Sequence, residues 1–343
     1  MNNLTSLNSI GEFGLIEEIK RSVFLKNPST VIGIGDDAAV IEPGKKQIVV
    51  STDMLIEGVH FDLTFCPLKH LGYKAVAVNV SDIAAMNATP TQITVSLAVG
   101  ARYSVEAVKE LYEGMQIACE NYKVDLVGGD TTSSRSGLII SITAIGEADP
   151  EAIALRSTAG ENDLVCVTGD LGGAFLGLQV LEREKQAFLV NPDMQPELEN
   201  KEYVVQRQLR PEARMDVVYE LKELGVKPTS MIDISDGLAS ELMHICQQSG
   251  KGAVIFQDKL PADPQVLDTA EEFKIDPVTC ILNGGEDYEL LFTVKLSDYD
   301  KIKNHPDITI IGKITAKEEG VKLVTPAGNA YPIKAQGWQH FQQ

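Results

Sequence analysis

Apolar residues recur along the chain with two different periods, and these periods predict both strands and helices. Runs rich in Val and Ile are typical of strands, whereas apolar residues three to four apart are typical of helices. The predicted strands lie at 47–52, 92–99, 124–127, 138–145, 164–168, 231–234, 253–256, 289–294 and 308–311, and the predicted helices at 71–86, 105–121, 174–184, 211–224 and 238–249. The alternation of the two periods predicts a mixed fold of class α/β (α+β).

A polar passage at residues 148–163, with Pro150 and Gly160, interrupts this alternation. Pro and Gly among polar residues are typical of a break between elements. A chain of 343 residues has room for about two domains of roughly 150 residues each. The sequence therefore predicts an N-terminal domain at 1–150 and a C-terminal domain at 151–343. A second polar stretch, at 182–202, is predicted to be a surface insertion.

Six short motifs place Asp or Glu beside Gly, Ser or Thr in stretches that otherwise look buried. They are Gly35-Asp36-Asp37, Ser51-Thr52-Asp53, Asn79-Val80-Ser81-Asp82, Gly128-Gly129-Asp130-Thr131-Thr132, Asp233-Ile234-Ser235-Asp236-Gly237 and Gly284-Gly285-Glu286-Asp287-Tyr288. A carboxylate that leaves water unpaired costs on the order of several kcal/mol, and none of the six motifs contains Lys or Arg. Mg²⁺ prefers such oxygen ligands and bridges to substrate phosphates. We interpret the motifs as a divalent-cation site that serves a nucleotide.

The first motif also matches a dinucleotide-binding pattern. Gly33, Gly35 and Ala38 fit G-x-G-x-x-A, and Asp53 stands near the spacing of a ribose-binding acid. Only residues 39–42 separate the pattern from Pro43, which leaves no room for the helix whose N-terminus should bind phosphate. We therefore reject a dinucleotide fold, and on its own this motif is typical of a surface turn.

Other motifs have structural interpretations when each is taken alone. Asp82 lies in a helix that is apolar nearly all round, so it fits a core aspartate hydrogen-bonded to Asn79 or Ser81. Ser235 or Asp236 fits the N-cap of the helix that follows. The glycines of Gly128-Gly129-Asp130 fit a turn after a strand, although they also allow backbone N–H groups to approach a phosphate. The recurrence of the same chemistry in both predicted domains is what favours a site.

Composition narrows the partners and the compartment. The chain has 30 basic and 49 acidic residues, a formal net charge of −19, which disfavours nucleic acid and anionic membranes as partners. The five cysteines form no C-x-x-C pair, so neither a zinc site nor a disulfide framework is predicted. The N-terminus lacks a basic flank with an apolar core, and no run of about 18 apolar residues occurs. These features predict a cytoplasmic protein.

Of the five histidines, His60 stands out because it closes a loop after Asp53, which favours a substrate contact over catalysis. His70, His244, His305 and His340 lie in segments without other chemistry and are interpreted as structural. No Walker A, protein-kinase or calcium-loop pattern is present. A nucleotide would therefore be held by another fold.

In this order the six motifs closely resemble the thiamine-monophosphate kinase family of the aminoimidazole ribonucleotide synthetase superfamily. Further segments extend the resemblance over nearly the whole chain: 11–16, 58–61, 155–157, 167–169, 209–211, 284–290 and 337–338. The resemblance implies ATP-dependent, Mg²⁺-assisted phosphorylation of thiamine monophosphate to thiamine diphosphate. It also implies a two-domain PurM-like fold whose N-terminal sheets pair across a homodimer.

The resemblance further implies roles for individual residues. Those of the magnesium cluster would be Asp37, Ser51, Thr52, Asp53, Asp82, Asp130, Asp233 and Asp236. Those that hold ATP would be Tyr112, Gly129, Asp130, Arg156 and Ser235. Those that meet thiamine monophosphate would be His60, Glu286 and Trp338. No residue is expected to act as a general base.

Two departures from the family pattern stand out: Gln208, where the family often has His, and the polar stretch near residue 190. Neither is expected to touch a proposed ligand, so both are expected to affect loop shape only. Trp338, the sole tryptophan, is expected either to stack on the thiazolium cation, worth on the order of 1 kcal/mol, or to anchor the C-terminus.

Other functions stay open at this point. Aminoimidazole ribonucleotide synthetase and selenophosphate synthetase would use the same acidic scaffold. The latter typically needs a reactive N-terminal Cys or selenocysteine, and the first cysteine here is Cys66. A non-enzymatic metal-binding protein is the alternative from another class, and Mg²⁺ binding without ATP turnover would favour it.

Overall fold

The computed structural model of the chain describes residue 15, residues 18–32, residue 34 and residues 40–336. Contacts divide the chain into two compact units. The first unit consists of Met1–Ile83 and Ala88–Glu151, and the second of Ala84–Asn87 and Ala152–Gln343. Within the described part of the chain, no helix combines the length and the apolar character needed to cross a membrane.

The first unit is built on a four-stranded sheet of order β3-β6-β4-β5. Its elements are β1 (Thr30–Ile32), β2 (Val40–Ile41), β3 (Gln47–Ile56), α1 (Leu68–Ala85), β4 (Thr89–Val99), α2 (Val105–Tyr122), β5 (Asp125–Ser133) and β6 (Ile139–Ala148). β3 and β4 both run antiparallel to β6, whereas β4 and β5 are parallel. β3 and β5 are therefore the two edges of this sheet.

The helices α1 and α2 touch through glycine. A Cβ on Gly72 would lie 1.9 Å from the backbone oxygen of Leu111, and a Cβ on Gly114 would lie 1.9 Å from that of Lys69. Only glycine permits this approach. α1 is apolar nearly all round, as the sequence indicates, and most of its side chains are buried. Its position fixes where the polar residues of the third motif lie.

The second unit is built on a seven-stranded sheet of order β13-β12-β9-β11-β7-β10-β8. Its elements are β7 (Leu164–Thr168), α3 (Gly173–Val190), α4 (Glu202–Leu209), α5 (Met215–Glu223), β8 (Ser230–Asp233), α6 (Leu238–Ser249), β9 (Gly252–Phe256), α7 (Pro264–Phe273), α8 (Pro277–Asn283), β10 (Leu290–Val294), α9 (Tyr299–Ile302), β11 (Ile308–Thr315), β12 (Val321–Val324) and β13 (Ala330–Pro332). All neighbouring strands are antiparallel except β9 and β12. The core lies between this sheet and α6, with Ile232, Leu242 and Ile255 fully buried.

Three sequence expectations need correction. β5 continues through Gly128-Gly129-Asp130, so this motif is part of an edge strand rather than a turn after one. α3 continues to Val190, so only the later part of the predicted insertion is an exposed connection. The helix α4 was not predicted, because its eight residues make only about two turns and lie next to that polar stretch. The backbone of α4 packs directly against α3, since a Cβ on Gly177 of α3 would lie 1.9 Å from the backbone oxygen of Val204.

Candidate functional site

An acidic group in the first unit joins strand β3 to helix α1. The Ser51 hydroxyl donates to Oδ2 of Asp82 at 2.5 Å. The backbone N–H of Asp53 donates to Oδ1 of Asn79 at 3.1 Å, and Nδ2 of Asn79 donates to the carbonyl of Ala75 at 2.9 Å. The structure thus brings together Ser51, Asp53 and Asp82, and it makes Asn79 their scaffold. The bond from Ser51 to Asp82 joins residues that are 31 positions apart, so the contacts of Asp82 are not confined to its own helix.

The electrostatics of this group favour a cation. Burial, followed by the nearby charge of Asp82, raises the pKa of Asp53 from 3.8 to about 6. No basic side chain among the described residues lowers the pKa of Asp53. Two carboxylates that repel each other beside a hydroxyl form an oxygen-rich donor set of the kind that Mg²⁺ takes. The group therefore suits a divalent cation.

Thr52 and Asp130 lie apart from this group. The Thr52 hydroxyl donates to the carbonyl of Ile142 at 3.0 Å and accepts from the Thr143 hydroxyl at 3.1 Å. Side chains of successive strand residues point to opposite faces, so Thr52 faces away from Ser51 and Asp53. Asp130 is exposed on β5, the edge strand opposite β3. β6 and β4 lie between β3 and β5, so the two edge strands are three strand spacings apart, or about 14 Å.

Gly129, beside Asp130, is a position where the backbone of β4 comes close. A Cβ there would lie 2.0 Å from the backbone oxygen of Val95. Gly129 is exposed, so its backbone is accessible along this edge. Close packing against β4 accounts for the glycine without reference to a ligand.

His60 is held at the end of β3 by its own loop. Its Nδ1 accepts a hydrogen bond from the backbone N–H of Ile56 at 3.1 Å. A neutral imidazole with Nδ1 as acceptor carries its proton on Nε2. Glu57 fixes the same loop, since its Oε2 accepts from the Leu138 N–H at 2.7 Å and the Tyr103 hydroxyl at 2.9 Å. His60 is therefore oriented as a donor through Nε2.

The fifth motif connects β8 to α6 in the second unit. Asp233 ends β8 and is buried, whereas Ser235 and Asp236 are half-buried. The N-cap of α6 is Gly237, whose φ is +112°, and it makes no side-chain cap bond. The interpretation of Ser235 or Asp236 as an N-cap is therefore wrong.

The fifth and sixth motifs are bonded to each other through their backbones. The N–H of Glu286 donates to the carbonyl of Ser235 at 2.7 Å, and the N–H of Tyr288 donates to that of Ile234 at 2.9 Å. Ile234 in turn donates to the carbonyl of Glu289 at 2.7 Å. These bonds give Glu286 a fixed place beside Ser235.

Gln208 contacts a proposed substrate residue, which overturns the expectation that its departure from the family pattern affects loop shape only. Its Nε2 donates to Oε2 of Glu286 at 2.7 Å. Gln208 itself is 5% exposed at the end of α4. The departure therefore bears directly on the chemistry around Glu286.

Sequence reasoning missed Glu241, on the first turns of α6. Its Oε1 accepts from the backbone N–H of Asp236 at 2.9 Å and from the Ser235 hydroxyl at 3.4 Å. Glu241 is 2% exposed, and its Oε2 has no hydrogen-bond partner among the described residues. Burial raises its pKa to about 7, and the charges of Asp236 and Asp233 act in the same direction. The only sequence signal was a Glu on a helix face otherwise made of buried residues.

The sixth motif also contains a carboxylate whose partner is internal, which corrects the interpretation that all these acids await a cation. Asp287 is fully buried and accepts from the N–H groups of Gly172 and Ala174 at the start of α3, at 2.7 and 3.2 Å. Burial raises its pKa to about 7, an effect that Arg207, 3.8 Å away, opposes. The Asp287 carboxylate therefore fills the position at the N-terminus of α3 where an anion is favoured.

Glu289, two residues further on, lies between two arginines. Its Oε1 accepts from Arg207 at 2.9 Å, and its Oε2 accepts from Arg214 at 2.8 Å and from the Thr168 hydroxyl at 2.5 Å. Arg207 also donates to the backbone carbonyls of Asp170 and Asp287. These arginines come from sequence positions far from the motif. Asp287 is therefore part of the scaffold, and Glu286 is the one carboxylate of the sixth motif that stays a candidate site residue.

Two predicted site residues, Tyr112 and Arg156, lie elsewhere. Tyr112 is 5% exposed on α2, and burial raises the pKa of its hydroxyl. Arg156 is exposed, and its backbone carbonyl accepts from the Ser249 hydroxyl at 3.1 Å, at the opposite end of α6 from Ser235. The structure does not bring Arg156 and Ser235 together. Asp37 and Trp338 fall outside the described residues.

Two family models match the chain in succession. The model described as AIR synthase related protein, N-terminal domain, matches residues 35–148, and that described as AIR synthase related protein, C-terminal domain, matches residues 160–324. The matches cover more than half of the chain. Fold and motifs thus define a protein of the AIR synthase related class, and the predicted two-domain fold of this class is confirmed.

Relatives that match nearly end to end narrow this class. The thiamine-monophosphate kinase of Bacillus subtilis (strain 168) is 35% identical over 337 residues, which cover 96% of this chain and 99% of the relative. That of Aquifex aeolicus (strain VF5) is 36% identical over 338 residues, which cover 98% of this chain and 99% of the relative. The chain belongs to the thiamine-monophosphate kinase family, and the resemblance noted from the motifs is confirmed.

Solved structures agree. A structure described as AaThiL complexed with AMPPCP and TMP superposes with a TM-score of 0.74 at 34% identity and covers 99% of this chain and 100% of that one. Thiamine-monophosphate kinase from Stenotrophomonas maltophilia K279a superposes with a TM-score of 0.78 at 31% identity and covers 94% and 98%. The hydrogenase maturation protein HypE, at 19% identity and a TM-score of 0.72, shares the fold.

Proposed function

We propose that this protein is a thiamine-phosphate kinase that transfers the γ-phosphoryl group of ATP to thiamine monophosphate, giving thiamine diphosphate and ADP. The observation that carries the proposal is the match, over 99% of this chain, to a relative described as complexed with AMPPCP and TMP. Such an enzyme catalyses the last step of thiamine diphosphate biosynthesis.

Magnesium is part of the proposal, because the donor set fits it. Asp53 and Asp82 repel each other beside a hydroxyl, and Asp53 has a raised pKa with no basic residue to lower it among the described side chains. The proposed ligands are Asp37, Ser51, Asp53, Asp82, Asp130, Asp233 and Asp236. Thr52 is proposed as a ligand on the opposite face of β3, because its side chain points away from Ser51 and Asp53. Mg²⁺ would supply positive charge against the phosphate oxygens as the phosphoryl group transfers.

The proposed reaction is an in-line displacement. A phosphate oxygen of thiamine monophosphate attacks the γ-phosphorus of ATP, and the bond from that phosphorus to the departing ADP oxygen breaks. A phosphomonoester loses its second proton at a pKa of about 6, so near neutral pH the nucleophile is already deprotonated. The protein must position two anions rather than remove a proton. This accounts for a site made of acids, hydroxyls and glycines without a general base.

Binding roles complete the proposal. Thiamine monophosphate would contact His60 through Nε2, together with Glu286 and Trp338. ATP would contact Gly129, Asp130 and Ser235, with Arg156 and Tyr112 as further contacts. Because Tyr112 is 5% exposed, the proposed contact with ATP is limited to the small exposed part of its side chain.

A homodimer is the proposed assembly, and the first unit offers a reason for it. β3 is an edge strand that exposes Val50 and Met54, at 62% and 51%. Unpaired edges with apolar side chains favour association with another chain. Asp130 lies on the edge opposite Asp53, so a cluster that uses both is best completed by Asp130 of the partner subunit. The proposed location is the cytoplasm, in keeping with five buried free cysteines.

Mixed dimers test the shared cluster. Asp53→Asn and Asp130→Asn homodimers, each with strongly reduced activity, would be mixed and allowed to exchange subunits. If the cluster spans two subunits, each mixed dimer holds one site with both aspartates intact, and activity returns. If the cluster lies within one chain, both sites stay damaged and no activity returns.

Phosphorus NMR tests the reaction itself. The protein would be incubated with ATP, Mg²⁺ and thiamine monophosphate, with thiamine and aminoimidazole precursors in parallel. The proposal predicts a thiamine diphosphate signal that requires both Mg²⁺ and thiamine monophosphate. Intact ATP in that tube, with turnover of another acceptor, would replace the proposed function by that of another superfamily member.

A further inference from the structure

Helix α4 delivers two consecutive side chains to the sixth motif, and the proposed function uses neither. Arg207 reaches Glu289 and the backbone carbonyls of Asp170 and Asp287. Gln208 reaches Oε2 of Glu286 at 2.7 Å. Arg207 thus joins the motif to the scaffold. Gln208 contacts Glu286, the carboxylate of the motif that is proposed to bind substrate.

The backbone of Glu286 is already constrained before Gln208 acts. Its φ is +66°, a left-handed conformation that non-glycine residues rarely adopt. Its N–H is bonded to the Ser235 carbonyl, and a Cβ on the preceding Gly285 would lie 2.5 Å from that same oxygen. The main chain thus fixes where the Glu286 side chain starts. The direction of its carboxylate still depends on side-chain torsions.

Gln208 is held firmly enough to set that direction. It is 5% exposed, and α4 is pinned to α3 where Val204 meets Gly177. Its neighbour Arg207 is bonded on three sides. A hydrogen bond from a fixed amide to a carboxylate is charge-assisted and directional. It occupies Oε2 of Glu286 and orients the other oxygen, Oε1.

We propose that Gln208 is a positioning residue that orients the Glu286 carboxylate for thiamine monophosphate and thereby sets the affinity for this substrate but not for ATP. The proposal rests on the proposed function. Because Gln208 does not touch the reacting atoms, its loss should raise the KM for thiamine monophosphate and leave kcat nearly unchanged. A hydrogen bond to a charged group is worth enough to predict a change of roughly tenfold.

The test compares four variants by steady-state kinetics with each substrate varied in turn. Gln208→Leu removes the donor at similar size, and Gln208→Glu replaces it by a second carboxylate. Gln208→His restores an N–H donor, and Gln206→Leu is the control on an exposed position of the same helix. Melting temperatures of all four are measured alongside.

The expected result is a roughly tenfold rise in KM for thiamine monophosphate in Gln208→Leu, with KM for ATP and kcat within about twofold. Gln208→Glu should raise it further, since like charges repel. Gln208→His should recover part of the affinity, and Gln206→Leu should match the wild type.

A wild-type KM for thiamine monophosphate in Gln208→Leu, or an equal rise in both KM values, would overturn the proposal. If Gln208→Leu does not fold, Gln208→Glu and Gln208→His decide by the same comparison, with calorimetric binding of thiamine monophosphate as a second readout. Failure of the wild type to phosphorylate thiamine monophosphate refutes the proposed function instead. In that case calorimetry on the same variants decides whether Gln208 controls ligand binding.

Discussion

Asp53 in the first unit and Glu289 in the second unit are both carboxylates in or next to a strand, yet their surroundings differ. Glu289 is 1% exposed and accepts from two arginines and a threonine hydroxyl. Asp53 faces Asp82, and no described basic residue lowers its raised pKa. A carboxylate is thus part of the scaffold in one unit and part of the proposed cation-binding group in the other.

An internal basic partner separates the two roles. A buried carboxylate with its own cation is complete within the fold, and removing either partner leaves an uncompensated charge. A carboxylate that faces another carboxylate is destabilising until an external cation arrives. Glu289 should therefore matter most for stability, and Asp53 for Mg²⁺-dependent activity.

The largest expected effect is on stability, in Glu289→Gln. The substitution removes the carboxylate that Arg207 and Arg214 share, which leaves Arg207 with Asp287 at 3.8 Å and Arg214 with the exposed Asp216. It should lower the free energy of unfolding by roughly 3–5 kcal/mol. Urea denaturation measures this, and the loss should be the same with and without Mg²⁺. Glu161→Gln is the control, since its exposed pairing with Lys251 in the same unit is worth under about 1 kcal/mol. Equal losses of stability in both variants would show that Glu289 contributes no more to stability than an exposed ion pair does.

Asp53→Asn should come next, with an effect on turnover. Removal of this carboxylate should lower kcat at least about 100-fold, within the several kcal/mol that metal-bound charge supplies to such reactions. Steady-state kinetics over a range of Mg²⁺ concentrations measure it. Asp149→Asn, at an exposed position of the same unit, should leave kcat unchanged. Turnover near that of the wild type in Asp53→Asn would remove Asp53 from the cation site.

Glu241 offers a smaller effect that depends on pH. Glu241→Ala removes the acceptor of Asp236 N–H and Ser235 and should reduce kcat/KM for ATP roughly tenfold, whereas Glu241→Gln retains an acceptor oxygen and much of the activity. Because burial raises the pKa from 4.5 to about 7, the folded chain keeps a proton that the unfolded chain has released. Wild-type stability should therefore fall between pH 4.5 and 7 relative to Glu241→Gln.

Melting curves of wild type and Glu241→Gln across this pH range check the sign. The difference in favour of the variant should grow up to pH 7 and then level off. A difference that shrinks with rising pH would show that the fold stabilises Glu241 as an anion.

His60→Ala should have the smallest effect. Loss of its Nε2 donor should raise the KM for thiamine monophosphate about threefold to fivefold, as for a single neutral hydrogen bond. The dependence of rate on Mg²⁺ should stay as in the wild type, because His60 belongs to the neighbouring loop and not to the acidic group. A shifted Mg²⁺ dependence would place His60 within the cation site.

Local patterns predicted much of the fold. The helix predicted at 71–86 is α1 at Leu68–Ala85, because its apolar residues surround the axis and are buried. The strand predicted at 164–168 is β7 at Leu164–Thr168. The continuation of β5 through Gly128-Gly129 was not predictable, because pairing with β4 overrides the turn preference of glycine there.

The partners of the acids could not be predicted in the same way. Gln208 and Glu286 are 78 residues apart, and Arg207 and Glu289 are 82 apart. No local periodicity encodes such contacts, since the packing of α4 against α3 creates them. The motifs identified which carboxylates are unusual, and the tertiary structure decided which of them have an internal cation.

The most direct test of a cation site at Asp53 is the melting temperature of wild type and Asp53→Asn at pH 8, each with and without Mg²⁺. With a folded-state pKa of about 6 against an ordinary 3.8, the charge of Asp53 destabilises the fold fully at pH 8 and no longer below pH 4. Without Mg²⁺ the variant should melt above the wild type, and Mg²⁺ should raise the melting temperature of the wild type far more than that of the variant. A variant that melts below the wild type without Mg²⁺, with equal gains from the ion, would contradict a cation site at Asp53.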